Sequence, residues 1–354
     1  MELTKEDNLI AKGIGIIGMV LLHLFCRMGE LPYYPTIWLG DTPLVYYVGL
    51  LGDMCVPIFC FCSGYAHFML YERTNKLYIR NVFEKLLRFM CNFWIVVIMF
   101  SVVGMLFNKS DIIPCSISTF LGNMLLYKLS YNGAWWFVLT YVLLLLLSRI
   151  LIELVKTSSE VLILVLSGIV YFIAYMLRFN SDITLSNNVL NWILHQGILL
   201  GTSQIGYIMG MICRKNKWIS CLRTRLLEKN KISRLGYQGI IIVLLIGTLG
   251  IHCIIQSAFL APFTAGSMLL TTYLIKIPEC VKKILVLLGR EHSTNIWLVH
   301  MFFYLTLFKD FVFVFKSPLL IMILMFAVCI IVSYVINFIY HPIDVWIRNK
   351  FKIC

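Results

Sequence analysis

Long apolar stretches, of which Leu139–Leu147 is typical, alternate with short polar and basic segments along the whole chain. A helix needs roughly 20 mostly apolar residues to cross the hydrocarbon core of a bilayer. The pattern predicts ten such spans, at 9–26, 44–70, 86–107, 134–155, 161–178, 192–212, 236–256, 258–275, 284–308 and 318–340. A membrane barrel would show short strands of alternating polarity instead. The segment 116–130 is weaker and amphipathic, and is expected to lie in the outer interface. The first span does not read as a signal peptide. Its flank is mixed in charge, and Phe25-Cys26-Arg27 follows where small residues would mark cleavage.

Composition agrees with this pattern. Hydrophobic residues make up 60% of the chain and charged residues 13%, against about 45–50% and 25% in soluble domains. The excess apolar surface must face lipid, where only helices and closed barrels satisfy their backbones. The expected fold class is therefore all-α, a polytopic integral membrane protein with a single domain over 1–354. A net charge of +13 could suggest nucleic acid in a soluble protein, but here it reports topology. When loops are assigned alternately from an inner N-terminus, 24 of the 30 lysines and arginines fall on one side. Basic residues collect in cytoplasmic loops, so both termini are expected in the cytoplasm and the number of spans is expected to be even. The basic stretch Arg214–Arg234 becomes an inner-surface loop or helix against lipid headgroups. Most of the twelve cysteines lie in apolar runs (Cys55, Cys60, Cys62, Cys91, Cys329) and no Cys-x-x-Cys pair occurs. Neither a metal nor disulfides are expected, and no nucleic-acid partner.

Ionisable groups inside a bilayer are costly and mark function by default. Lys12 and His23 lie eleven residues apart in the first span, within about 20° of one helix face and about 16 Å along the axis. The ninth span repeats the layout, with Arg290 at its inner end and His300 deeper, on the same face as Ser293. Asp53 reaches nearly the same level from the opposite direction. His195 and His252 also fall in outer halves. Four histidines and an aspartate at one depth point to a polar, solvated cavity, although interhelical hydrogen bonds could account for one or two of them. Pro57 is expected to kink the second span and free a carbonyl. Ser63-Gly64 allows either close helix approach or backbone access by a ligand. Gly13, Gly15 and Gly18 spell the dinucleotide fingerprint, but that motif must follow a strand and open a helix. Inside a span, these glycines are expected to admit a neighbouring helix. Tyr131, Trp135 and Trp136 read as an aromatic belt, with stacking on a sugar as the alternative.

In order and spacing, these landmarks resemble the acyltransferase-3 family of integral membrane acyltransferases. Four matches carry the resemblance: Lys12 with His23; Phe59-Cys60-Phe61-Cys62-Ser63-Gly64; Lys85-Leu86-Leu87-Arg88; and Gly289 with Ser293 through His300. Trp136-Phe137 also fits. Lys12 and Lys85 stand where the family has arginine, Cys60 where it has phenylalanine, and Trp297 where it has tyrosine. The resemblance implies transfer of an acyl group, chiefly acetyl, across a bacterial inner or cell membrane. The donor would be a cytoplasmic acyl-CoA (acetyl-CoA) and the acceptor a hydroxyl on a surface or exported glycan, or on a lipid-linked sugar. It further implies donor contacts at Lys12, Ser63, Gly64, Lys85, Arg88 and Arg290. His23 would be the general base, and Asp53 would orient it. His300 would be a second polar contact or an oxyanion donor. The rival class is a polytopic transporter or flippase for a glycan or lipid-linked sugar. The lack of a clear internal repeat counts against it.

Overall fold

The structure is a computed structural model that describes residues 2–26, 31–75, 78–180, 183–225 and 234–351. It is about 82% helical. The first helices in chain order are α1 (Lys5–Phe25), α2 (Leu44–Leu50), α3 (Cys55–Thr74), α4 (Tyr78–Leu106), α5 (Ile117–Met124) and α6 (Trp136–Thr157). There follow α7 (Glu160–Phe179), α8 (Asn188–Lys215), α9 (Trp218–Thr224), α10 (Arg234–Ile255) and α11 (Ala261–Leu274). The last are α12 (Glu279–Leu287), α13 (Ser293–Met301), α14 (Lys309–Val312) and α15 (Pro318–Phe351). Among the described residues, the only sheet is one antiparallel pair, Trp38–Leu39 with Thr42–Pro43.

Seven of these helical segments are long and apolar enough to cross a membrane: α1, the α2–α3 segment, α4, α6, α7, α10 and α15. The other three expected spans fall on α8, α11 and the stretch from α12 onward. α11 is apolar but short. The ninth span is not one regular helix, because Leu288–His292 and Phe302–Thr306 wind as π-helix on either side of α13. Local chemistry sets several boundaries. Ser159 caps α7 by accepting from the Leu162 N–H, and Asn187 caps α8 by accepting from Val189 and Leu190. The second span is interrupted by a tight 3₁₀ turn at Leu51–Met54. Pro57 therefore lies in the first turn of α3 rather than at a kink within a longer helix. It has no N–H to give the carbonyl four residues back, which is that of Asp53.

The chain forms two compact units, each assembled from three stretches. The first comprises Met1–Leu22, Tyr47–Asn75 and Leu147–Arg290, and the second His23–Tyr46, Lys76–Leu146 and Glu291–Cys354. Within the first unit, α3 packs along α8, α8 along α7, and α11 against both α3 and α10. Glycines make the close approaches. A Cβ at Gly13 would overlap the Leu285 carbonyl, one at Gly289 that of Leu9, and one at Gly64 that of Tyr207. The glycines of α1 thus admit a neighbouring segment, as their position inside a span implies.

Within the second unit, α15 packs along α4 and α13. The segment ahead of α6 is buried here. Trp135 donates through Nε1 to the Leu298 carbonyl at 3.0 Å, Asn132 Nδ2 donates to the same oxygen at 2.8 Å, and the Trp297 Nε1–H reaches the Ala134 carbonyl at 3.2 Å. Tyr131 and Trp135 are buried instead of forming the expected aromatic belt: Trp135 anchors α13, and the Tyr131 hydroxyl donates to the Pro114 carbonyl at 2.7 Å. The 116–130 segment does form an amphipathic helix, α5. Ser116 caps it, and Ile117 and Leu121 are exposed. The basic stretch from Arg214 begins at the end of α8 and continues through α9, and residues 226–233 lie outside the described residues.

Candidate active site

Two of the three expected catalytic residues meet in the second unit. His23, near the end of α1, and His300, near the end of α13, have ring centroids 4.8 Å apart. Between those helices lies almost the entire chain, so the meeting is a tertiary result. His23 is half-buried and His300 is buried. Tyr304 completes the cluster. Its hydroxyl lies 3.2 Å from His23 Nδ1, and its ring stacks against His300 with centroids 5.8 Å apart. Tyr304 follows His300 by four residues, which is the one signal in the sequence that could have revealed it.

The hydrogen bonding of His300 limits what it can do. Its Nδ1 lies 2.8 Å from the Trp297 carbonyl. A carbonyl only accepts, so Nδ1 carries the proton. In the neutral ring Nε2 is then an acceptor, and it is buried without a hydrogen-bond partner among the described residues. Of the two roles expected for His300, this favours a polar contact that accepts a hydroxyl proton. An oxyanion donor at Nε2 would require the imidazolium.

Asp53 has a neighbouring base in its own unit. Its Oδ2 lies 2.9 Å from Nε2 of His252, and both groups belong to the first unit. His252, at the end of α10, is buried. Within its own unit, Asp53 thus lies against His252. The break at Leu51–Met54 presents the carboxylate to α10 at the point where the helix cannot continue through Pro57.

The expected donor contacts fall in both units. Lys12 and Arg290 belong to the first, where Gly289 brings the stretch before Arg290 against Leu9 and Gly13. Among the described residues, neither cation forms an ion pair. Ser63 is buried on α3, and the space beside Gly64 is filled by the backbone of Tyr207. Helix packing thus accounts for Gly64, and no ligand backbone contact is required. Lys85 and Arg88 lie on α4 in the second unit. Arg88 is held through Nε by Asp344 of α15 and lies 3.4 Å from Glu84. Tyr340 donates to Asp344 at 2.9 Å, and Arg348 pairs with the same carboxylate at 2.7 Å.

One turn along α4 from Arg88 lies a buried polar knot that the sequence reading does not single out. Asn92 Nδ2 donates to Asn295 Oδ1 at 2.8 Å, and Asn295 Nδ2 donates to Asn337 Oδ1 at 2.8 Å and to Ser333 Oγ at 3.1 Å. His292 Nδ1 lies 2.9 Å from Ser333 Oγ, and Asn337 Nδ2 donates to the Glu291 carbonyl at 3.0 Å. An asparagine among apolar neighbours carries little weight in one dimension, and this knot takes its members from three helices.

Comparison with known families agrees with these landmarks. The profile of a family described as an acyltransferase domain, the third of that title, matches residues 10–338. The match runs from before Lys12 to beyond His300. No curated protein matches the chain, and no solved structure does.

Proposed function

Because the chain belongs to the acyltransferase-3 family, and is thereby a membrane acyltransferase, we propose that it transfers an acetyl group from cytoplasmic acetyl-CoA to a hydroxyl of a cell-surface or exported glycan. The observation that carries this reading is the meeting of His23 with His300 and Tyr304. General-base catalysis requires an imidazole that is held in place and can also be reached. His23 is half-buried, and Tyr304 holds its Nδ1. If Nδ1–H is donated to the Tyr304 oxygen, Nε2 keeps its lone pair and serves as the base.

The acceptor hydroxyl loses its proton to His23 as its oxygen attacks the thioester carbonyl. A C–O bond forms and the C–S bond breaks. The thiolate of CoA leaves and is protonated from the imidazolium, so the products are an ester and free CoA. His300 Nε2 supplies an acceptor for the sugar. Lys85 and Arg88, in the unit that holds His23 and His300, are carried forward as contacts for the phosphates of the donor. Lys85 keeps the charge but lacks the planar fork of arginine. Both termini are assigned to the cytoplasm on the distribution of basic residues, and the chain to a bacterial inner or cell membrane on its family membership.

The test uses His23→Ala and His23→Gln, with acetyl ester on surface polysaccharide and melting temperature as readouts. General-base catalysis typically contributes about 10²–10⁴-fold. Both variants should lose transfer by that order while keeping membrane insertion and acetyl-CoA binding. Near-normal transfer in His23→Gln, which can still hydrogen-bond, would overturn the catalytic assignment.

A further inference from the structure

The polar knot on α4, α13 and α15 lies between the cationic and imidazole ends of the second unit. α4 and α13 run side by side in the same direction, since Asn92 bonds Asn295 and Phe100 stacks on Phe302 further along. α15 runs against them, with Asp344 at Arg88 and Ser333 at His292. Three levels follow one another along these helices. The first carries Lys85, Arg88 and Arg348 with the carboxylates of Glu84 and Asp344, an excess of one positive charge. The knot begins four residues along α4, about 6 Å at 1.5 Å per residue. His300 follows Asn295 by five residues, about 8 Å further.

The middle level has more polar capacity than its own bonds use. Asn92 Oδ1 and His292 Nε2 are both buried without a hydrogen-bond partner among the described residues. A buried polar atom left unpaired is costly, and such atoms in a native fold call for an explanation. The backbone here is also irregular. His292 closes the π-helical turn Leu288–His292, a feature that often accompanies functional sites. Asparagine matches an amide, because its oxygen accepts from N–H and its nitrogen donates to C=O.

We propose that Asn92 and His292 form a binding site for the amide-bearing pantetheine arm of the donor. The order of chemistry along the unit matches that molecule: phosphate at the cationic level, amides at Asn92 and His292, and thioester at His23 and His300. Asn295, Asn337 and Ser333 hold these two side chains in place. This rests on the acyl-CoA reading above and adds the part of the donor that these residues recognise.

The test measures equilibrium binding to the full-length protein of three probes: CoA, 4′-phosphopantetheine, and adenosine 3′,5′-bisphosphate, which lacks the arm. The variants are His292→Asn, which retains an atom at the Nδ1 position for Ser333 and removes Nε2, and Asn92→Leu. Each should weaken CoA and phosphopantetheine about five- to tenfold, the size of one lost hydrogen bond. Binding of the bisphosphate and the melting temperature of His292→Asn should stay at wild-type values. Unchanged CoA binding in both variants would overturn the site while leaving the acyl-CoA reading intact. Equal losses for all three probes with a lowered melting temperature would also overturn it, showing that the knot only holds the helices together. Failure of the wild-type protein to bind any of the probes would remove the acyl-CoA reading itself.

Discussion

Tyr304 shows how much one hydroxyl can determine. It touches His23 Nδ1 at 3.2 Å while its ring packs on His300. Tyr304→Phe keeps the packing and deletes only the oxygen, so the fold should persist. Loss of one hydrogen bond to the base should lower acyl transfer about tenfold. Transfer by Tyr304→Phe at the wild-type rate would show that the hydroxyl does not hold His23. The Asp53–His252 pair has a different consequence. Removing one partner of a buried polar pair leaves the other unsatisfied, at a cost of about 1–3 kcal/mol. His252→Ala should therefore lower the melting temperature markedly, whereas His252→Ala combined with Asp53→Ala should recover part of the loss. At this scale His23, Asp53 and His300 are legible from sequence because an ionisable residue in a Leu-rich span has no bland excuse. The partners are not legible. Asp53 lies beside a base on α10, and depth read from the sequence does not specify the angle around a bundle.

At the scale of the elements, glycine decides which helices can touch. Gly13→Val in α1 would drive a side chain into the Leu285 backbone, which cannot swing aside as a side chain can. Overpacking of this kind typically costs about 1–3 kcal/mol, and a clash with backbone should fall at the upper end. Gly13→Val should thus cut the yield of folded protein. Gly247 in α10 has nothing within 4 Å of its missing Cβ. Gly247→Ala should be neutral or stabilising, since glycine in a helix interior costs roughly 0.5–1 kcal/mol relative to alanine. Equal melting temperatures for the two variants would contradict this packing account. The helical segments were largely evident from hydropathy, but their interruptions were not. The 3₁₀ turn at Leu51–Met54 and the π-helical turns around α13 change the direction of side chains without changing mean hydropathy.

At the scale of the molecule, the asymmetry of lysine and arginine predicts a topology that labelling can test. A cysteine placed at Lys109, in the segment after α4, should react with an impermeant reagent applied to intact cells. One placed at Lys217, between α8 and α9, should react only after the membrane is opened. Both belong in a cysteine-free background. Labelling of position 217 from outside would overturn the assignment of the termini to the cytoplasm.

By itself, the sequence determined the chemistry of the solvent and the kind of element. An apolar content of 60% commits the chain to lipid, and lipid commits it to helices, because each backbone group must be satisfied within its own segment. It also determined the family, since the landmarks from Lys12 to His300 are strings that can be read in order. Only the tertiary structure decided who meets whom. Trp135 and Tyr131 look like belt residues in one dimension, yet both are buried, Trp135 beside α13 because the Leu298 carbonyl is there to accept from it. His252 and Tyr304 acquire partners from distant helices, and Asn92 and Asn337 become parts of one knot. Hydropathy is a sum over a segment and survives any rearrangement of its neighbours. A hydrogen bond depends on the distance between two particular atoms, and for residues hundreds of positions apart that distance is set only by the packing of the helices.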